Sequence, residues 1–131
     1  MDERFALAER ILRAQPFSRL LGTRLLAFRP GRAELALRLR PEHRQQNGFA
    51  HGGVLAYLVD NALTFAAGSV LGPEVLTVEF KVNFVRPARG DELRAVGEAK
   101  AAGKRLAVAR AEVYDGATLV ALGQGTVAAA G

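Results

Sequence analysis

The stretch HGGVLAYLVDNALTFAAGSVL, residues 51–71, decides how this chain folds. It predicts a helix over residues 53–71 that is apolar on nearly every side, so the helix should be buried. Asp60 stands near its centre, where an ionised carboxylate without a partner is costly. We therefore interpret Asp60 as a functional group; the alternative is a buried carboxylate that caps another loop. Polar Asn61 and Thr64 argue against a span that faces lipid.

A polar loop over residues 41–49 passes directly into this helix. Gly52 and Gly53 have no Cβ atoms, so a ligand can approach the backbone N–H groups at the start of the helix. Those N–H groups have no partner within the helix and lie at the positive end of its dipole, which suits an oxygen that becomes negative. Loop and helix start together predict a catalytic site. His43, in the same loop, is expected to face solvent.

The N-terminal flank predicts helical segments and two strands. Residues 3–14 place apolar side chains on one helical stripe, and Pro16 ends that helix. A short helical turn is expected over residues 17–21. Strands are predicted over residues 23–28 and 33–40, the second from its alternation of apolar and polar side chains.

A meander of three or four strands is predicted after the helix. Residues 75–85 alternate strictly, which places Thr77, Glu79 and Lys81 on the sheet face away from the helix. Further strands are predicted over residues 92–101, 106–114 and 118–128. A curved antiparallel sheet wrapped around one apolar helix accounts for this order, which is an α+β architecture. The edge of such a sheet invites pairing, so two copies joined edge to edge would form a dimer.

Composition narrows the possible functions. The chain has 131 residues, a net charge of +5 and no cysteine, which excludes disulfides, thiolate nucleophiles and cysteine-ligated metals. Most of its arginines are interpreted as surface charge, although attraction to a phosphate-rich small molecule is an alternative. No basic run with interleaved aromatic residues indicates nucleic-acid binding. No metal-ligand set and no signal peptide are apparent, so we expect a cytoplasmic, metal-free protein that is not bound to membranes.

Two sequence blocks resemble the hotdog-fold acyl-CoA thioesterases of the phenylacetate-pathway, or PaaI-like, group. The first is GFAHGGVLA over residues 48–56 followed by Asp60, and the second is LTVEFKVNFVRPA over residues 76–88. The order of elements is similar to the hotdog fold over about residues 17–128. The resemblance implies a single hotdog domain over residues 1–131, with residues 1–16 as an N-terminal helix. It also implies hydrolysis of an acyl-CoA thioester, with no cofactor beyond the coenzyme A of the substrate.

The resemblance also implies roles for individual residues. Asp60 matches the carboxylate that activates water or attacks the thioester, and Gly52 matches the residue whose N–H polarises the carbonyl. His51 matches the loop histidine beside it, although its ring could instead bond only to backbone. Gln45 matches a polar position that is Asn or Gln in the family. Thr64 and Thr77 match hydroxyl positions that differ among relatives.

Other residues are candidates for substrate binding. Gly53 belongs to the helix start, and Asn47 is a loop candidate that could instead simply form a turn with Gly48. Four basic residues at strand ends or turns could meet the phosphates of coenzyme A, although each alone is typical of surface charge. These are Arg86, Arg89, Lys104 and Arg105.

Helix geometry predicts composite sites. Asp60 lies seven residues beyond Gly53, roughly 10 Å along the axis, so the two cannot serve one carbonyl from the same helix. An antiparallel helix from a partner would bring its start near Asp60. We therefore expect a homodimer in which one subunit supplies Gln45, His51 and Gly52 and the other supplies Asp60 and Thr64. A dimer of dimers is expected beyond this, but the sequence does not decide between dimer and tetramer, because sheet faces that build tetramers look like ordinary alternation.

Two other functions remain open. A hotdog hydratase or dehydratase would need an Asp and a His that both exchange protons with substrate, yet no His follows Asp60. A non-catalytic acyl-CoA-binding module would keep the pocket without the carboxylate. The acyl group is undetermined, because several apolar side chains could line either an aromatic slot or an alkyl tunnel. The thiol carrier is also open, because an acyl-carrier protein could replace coenzyme A. Those side chains are Leu55, Tyr57, Leu58, Phe65, Phe80 and Phe84.

Overall fold

The computed structural model describes residues 2–130, which form a curved antiparallel sheet wrapped around one long helix. The helices are α1 (Glu3–Ala14), α2 (Pro16–Leu21) and α3 (Gly52–Leu71), and one 3-10 turn spans Pro41–His43. The strands are β1 (Arg24–Arg29), β2 (Arg32–Arg38), β3 (Val75–Phe84), β4 (Glu92–Ala102), β5 (Leu106–Asp115) and β6 (Thr118–Ala129). Each predicted strand is present, and its ends differ from the prediction by at most two residues.

The strand order is β1-β2-β4-β5-β6-β3, with every neighbouring pair antiparallel. Strands β4, β5 and β6 form the predicted meander. Strand β3 is not its first member, because it pairs with β6 at the far side of the sheet. As a result β1 and β3 are the two edge strands among the described residues.

Helix α3 forms the centre of the core because its apolar side chains face the concave side of the sheet. Leu58, Val59 and Leu63 are completely buried there. Gly97 of β4 permits a close approach, since a Cβ at that position would lie 2.1 Å from the carbonyl oxygen of Ala62. By length and composition α3 could cross a membrane, but half of its apolar stretch is buried inside the protein, as is typical of a core helix.

A β-bulge in β3 reverses the side on which Thr77 was predicted to lie. Thr77 pairs with Val127 and Glu79 pairs with Thr126, so Val78 is an extra residue in the ladder. Because the bulge shifts the alternation, Thr77 faces α3 while Val78 points outward and is 60% exposed. Glu79 and Lys81 are exposed as expected. The prediction that Thr77 shares their face was wrong.

Candidate functional site

The first two backbone N–H groups of α3 differ in their hydrogen bonding. The Gly53 N–H donates to His51 Nδ1 at 2.8 Å, so His51 caps the helix with a ring nitrogen that carries no proton. The Gly52 N–H makes no hydrogen bond within residues 2–130. The ring of His51 therefore plays the backbone-bonding role that the sequence left open, and Gly52 retains an available N–H.

A groove of about 310 Å³ lies beside this free N–H. Gln45 and Gly52 contribute to its wall, together with the exposed ring of Phe84. The groove is lined by Gln45, Phe49, Ala50, Gly52, Leu55, Phe84, Val85, Arg86 and Pro87. It brings Gln45, Gly52 and Arg86, a candidate phosphate-binding arginine, together.

The side chain of Gln45 shapes the loop that borders the groove. Its Oε1 accepts a hydrogen bond from the Asn47 N–H, and its carbonyl accepts one from the Gly48 N–H at 3.0 Å. Gly48 adopts a left-handed φ of 90°, which a residue with a Cβ rarely adopts. Asn47 thus contributes its backbone to the turn, while its side chain is exposed.

Hydrogen bonds from Arg44 and Asp115 connect the loop around Gly48 with the turn at Arg89 and Gly90. Arg44 donates to the Gly48 carbonyl at 2.9 Å and to the Gly90 carbonyl at 3.0 Å. Asp115 accepts hydrogen bonds from the N–H groups of Arg89 and Gly90 at 3.0 and 2.9 Å. Sequence reasoning missed the roles of Arg44 and Asp115, because both depend on contacts between segments distant in sequence.

His43 is buried in this loop, so the expectation that it faces solvent was wrong. Its side chain is 3% exposed, and its Nδ1 accepts a hydrogen bond from the Arg40 N–H at 3.0 Å. Its carbonyl accepts one from the His51 N–H at 2.8 Å, which joins it to the start of α3. Burial, followed by the nearby Arg40 guanidinium, lowers the pKa of His43 below its ordinary value.

Asp60 is held by two hydroxyl groups. Thr77 Oγ1 donates to Asp60 Oδ1 at 2.7 Å, and Thr64 Oγ1 lies 3.2 Å from the same oxygen and 2.6 Å from the Asp60 carbonyl oxygen. The two threonine hydroxyls are 2.7 Å apart. Asp60 Oδ2 makes no hydrogen bond within the described residues. One carboxylate oxygen is therefore fixed and the other is available to react.

Asp60 lies at the border of the α3 face that the sheet covers, beside edge strand β3. Its side chain is half-buried in the single chain rather than enclosed in the core. Gly52 is eight residues earlier on the same helix, about 12 Å away along the axis. A single chain thus holds both parts of the predicted site but does not bring them to one substrate carbonyl.

The four basic candidates form two separate pairs. Arg86 lines the groove, and the Arg89 guanidinium lies 4.1 Å from the centre of the Phe49 ring. Lys104 and Arg105 lie in the β4–β5 hairpin, where Arg105 bonds to the Ala129 carbonyl at 3.2 Å. Ala129 is the strand partner of Val75, the first residue of β3, whereas Arg86 lies just beyond the last residue of β3. Arg86 and Arg89 therefore lie at one end of β3, and Lys104 and Arg105 lie at the other.

A polar network that sequence reasoning missed connects α2 to α3. The Tyr57 hydroxyl contacts Ser18 Oγ at 2.6 Å and Thr23 Oγ1 at 2.7 Å, and it accepts from Asn61 Nδ2 at 3.0 Å. Ser18 Oγ also donates to Gln15 Oε1 at 2.5 Å. The only sequence signal is that Tyr57 and Asn61 are four apart on one helix face. The network fixes α2 against the uncovered side of α3.

A second cavity, of about 100 Å³, lies next to Thr64 between α1 and α3. Among the apolar side chains suggested for substrate contact, Phe65 lines this cavity, while Leu55 and Phe84 line the groove. Leu58 is completely buried in the core, and Tyr57 belongs to the polar network. The suggested set is therefore divided among different environments.

Comparison with known proteins identifies the family. The sequence profile described as the thioesterase superfamily matches residues 47–121. The chain is 30% identical over 121 residues to the medium/long-chain acyl-CoA thioesterase of Escherichia coli, covering 76% of each protein. It is 29% identical over 116 residues to acyl-coenzyme A thioesterase 13 of Homo sapiens, covering 86% of this chain and 83% of that protein.

A solved structure gives the same result. The phenylacetic acid degradation protein PaaI from Thermus thermophilus, determined as a mutant, matches with a TM-score of 0.81 and 33% identity, covering 87% of this chain and 98% of that one. The superfamily match spans more than half of the chain and includes Gly52, Asp60 and Thr77. Sequence and fold together show that this chain belongs to the thioesterase superfamily of hotdog-fold enzymes.

Proposed function

We propose that this protein hydrolyses acyl-CoA thioesters to a free carboxylic acid and coenzyme A. The observation that carries the proposal is the state of Asp60, whose Oδ1 is fixed by Thr64 and Thr77 while Oδ2 is free. Such a carboxylate is positioned to remove a proton from water or to attack a carbonyl itself. Relatives named as acyl-CoA thioesterases support the same substrate class.

The groups on this chain suffice for hydrolysis. Asp60 takes a proton from water while the water oxygen attacks the thioester carbonyl carbon, and the carbonyl oxygen becomes an oxyanion that the Gly52 N–H stabilises. The carbon–sulfur bond then breaks, and the proton passes to the departing thiolate. If Asp60 attacks instead, an anhydride forms first and water cleaves it, giving the same two products.

The proposed active unit is a homodimer. Edge strand β3 presents outward-facing Leu76 and Val78, which are 67% and 60% exposed. Pairing of two β3 edges would cover these side chains and continue the sheet. An antiparallel partner helix would then place its Gly52 N–H opposite Asp60, and would combine the Arg86 pair of one chain with the Arg105 pair of the other.

The first experiment measures free-thiol release from a panel of acyl-CoAs, with Asp60→Asn as the test variant and Asp91→Asn, an exposed carboxylate, as the control. Loss of a general base lowers the rate by about a hundredfold or more. We expect that loss for Asp60→Asn and wild-type rates for Asp91→Asn. Full activity in Asp60→Asn would refute its role, and binding without any thiol release by wild type would indicate a non-catalytic module.

The second experiment removes the proposed oxyanion donor alone. Gly52 is the first residue of α3 and His51 has a ψ of 139°, so proline fits here without distorting the helix. Gly52→Pro deletes the N–H, whereas Gly52→Ala keeps it, and the added Cβ would lie 3.6 Å from the Phe84 ring, an ordinary contact. We expect Gly52→Pro to lower kcat by about 10²–10³-fold while Gly52→Ala retains most activity. Equal rates in the two variants would exclude this N–H from the reaction.

A further inference from the structure

We propose that the 100 Å³ cavity between α1 and α3 receives the acyl group of the substrate and restricts it to a short chain. The inference rests on the proposed thioester hydrolysis. It adds to that function the chemical class of the acyl group and two residues that determine its size, Ile11 and Gly68.

The position of the cavity supports this assignment. Thr64 forms part of its wall, and the hydroxyl of the same residue lies 3.2 Å from Asp60 Oδ1. A substrate carbonyl attacked beside Asp60 would therefore have its acyl substituent within one helical turn of the cavity. The coenzyme A portion would extend the other way, toward the groove beside the proposed partner's Gly52.

The lining of the cavity is mostly apolar, and its two polar residues are Thr64 and Gln15. Phe28 and Phe65 meet edge to face with their ring centres 6.3 Å apart, and Ala8 and Ile11 of α1 form another wall. Both polar residues already have hydrogen-bond partners: Ser18 donates to Gln15 Oε1, and the Thr64 hydroxyl contacts the Asp60 carbonyl oxygen and Thr77. These surroundings favour hydrocarbon over a charged or strongly polar group.

The volume of the cavity sets the size of the acyl group. An apolar cavity of about 150 Å³ admits the six carbons of benzene, so one of about 100 Å³ suits roughly four carbon atoms. Phe28 and Phe65 both line the cavity and occupy space that a longer chain would need. A long alkyl chain would have to leave the cavity and lie in solvent.

Gly68 allows the cavity to be narrowed without disturbing the fold. A Cβ at this position would lie 3.5 Å from Val75 Cγ2, an ordinary van der Waals contact, so alanine fits and takes up cavity volume. Alanine is also favoured over glycine inside a helix, so the variant should be at least as stable as wild type. Ile11→Ala has the opposite effect because it removes part of the wall.

The test compares kcat/KM for straight-chain acyl-CoAs from about two to ten carbons in full-length wild type, Gly68→Ala and Ile11→Ala. Leu7→Ala is the matched control, since Leu7 lies on the same helix but does not line the cavity. For wild type we expect a rise of about fourfold per methylene up to the capacity of the cavity, then no further rise. The chain length at which kcat/KM stops rising should be one or two carbons shorter in Gly68→Ala and longer in Ile11→Ala. It should be the same as in wild type in Leu7→Ala.

The outcomes separate the two proposals. If wild type cleaves no acyl-CoA, the proposed function itself fails. If wild type is active but Gly68→Ala leaves the chain-length profile unchanged, the acyl group lies elsewhere and this inference is overturned. Thermal melting of each variant checks its folding. If Ile11→Ala is unstable, the chain-length profile of Gly68→Ala alone decides whether the cavity receives the acyl group.

Discussion

At the scale of single residues, the environment of Asp60 carries the proposed chemistry. The four-residue spacing of Asp60 and Thr64 predicted their contact from sequence, because residues four apart share a helix face. The contact with Thr77 could not be predicted in this way, because it requires a bulge in β3. The strict alternation of residues 75–85 does not indicate a bulge. A side chain assigned to the outer face therefore turned out to hold the proposed catalytic carboxylate.

Replacing Thr77 by valine tests this positioning role. Valine preserves the shape and the β-branching but removes the hydroxyl that lies 2.7 Å from Asp60 Oδ1. A hydrogen bond to a charged group contributes roughly 1.5–3 kcal/mol, so we expect kcat to fall by about tenfold or more in Thr77→Val. Thr77→Ser should restore most of it. A Thr77→Val enzyme with the wild-type kcat would show that this hydroxyl does not position the base.

His43 should make the stability of the fold depend on pH. Its lowered pKa means that the folded chain resists protonation, whereas the unfolded chain binds a proton below about pH 6.5. Acid therefore favours the unfolded state, and we expect the free energy of unfolding to fall as the pH drops from about 7 to about 5. Urea denaturation at several pH values should show a smaller fall in His43→Asn. Parallel curves for the two proteins would contradict this account.

At the scale of elements, edge strand β3 connects the fold to the proposed assembly. Its alternation predicted a strand correctly, but strand order depends on contacts distant in sequence, so its place beside β6 was not foreseen. The bulge turns two large apolar side chains outward on this edge. An exposed apolar edge of this kind favours pairing with a second copy.

A charge on this edge should separate the subunits. We expect Val78→Lys to be monomeric by light scattering, because lysine on an edge strand opposes pairing. Its thiol-release activity should fall in proportion to the fraction of dimer that is lost. The matched control is Leu26→Lys on β1, the other edge strand, where the side chain is 46% exposed. An active Val78→Lys monomer, or a monomeric Leu26→Lys, would place the interface somewhere other than β3.

At the scale of the whole molecule, the packing of α3 into the curved sheet determines where the site lies. The apolar composition of residues 51–71 and the alternation in the strands predicted this architecture, because one buried helix needs a sheet to cover it. The burial of His43 and the Tyr57 network could not be predicted, as both arise where separate segments meet in the folded chain. The sequence motif placed the candidate site on α3, whereas its hydrogen bonds required the structure.

The tight contact between helix and sheet gives a direct test of this packing. A Cβ at Gly97 would lie 2.1 Å from the Ala62 carbonyl oxygen, so the helix or the strand must move. We expect Gly97→Ala to lower the free energy of unfolding by about 1–3 kcal/mol, measured by urea denaturation. Gly68→Ala provides the contrast, because its Cβ has room. Unchanged stability in Gly97→Ala would mean that α3 lies farther from the sheet.

The central claim is that each active site joins Asp60 of one subunit to the Gly52 N–H of the other. Mixing the inactive variants Asp60→Asn and Gly52→Pro, by refolding them together in equal amounts, tests it most directly. Random pairing makes half of the dimers mixed, and each mixed dimer has one intact composite site, so thiol release should recover to about a quarter of the wild-type rate. A mixture no more active than either variant alone would contradict the composite site.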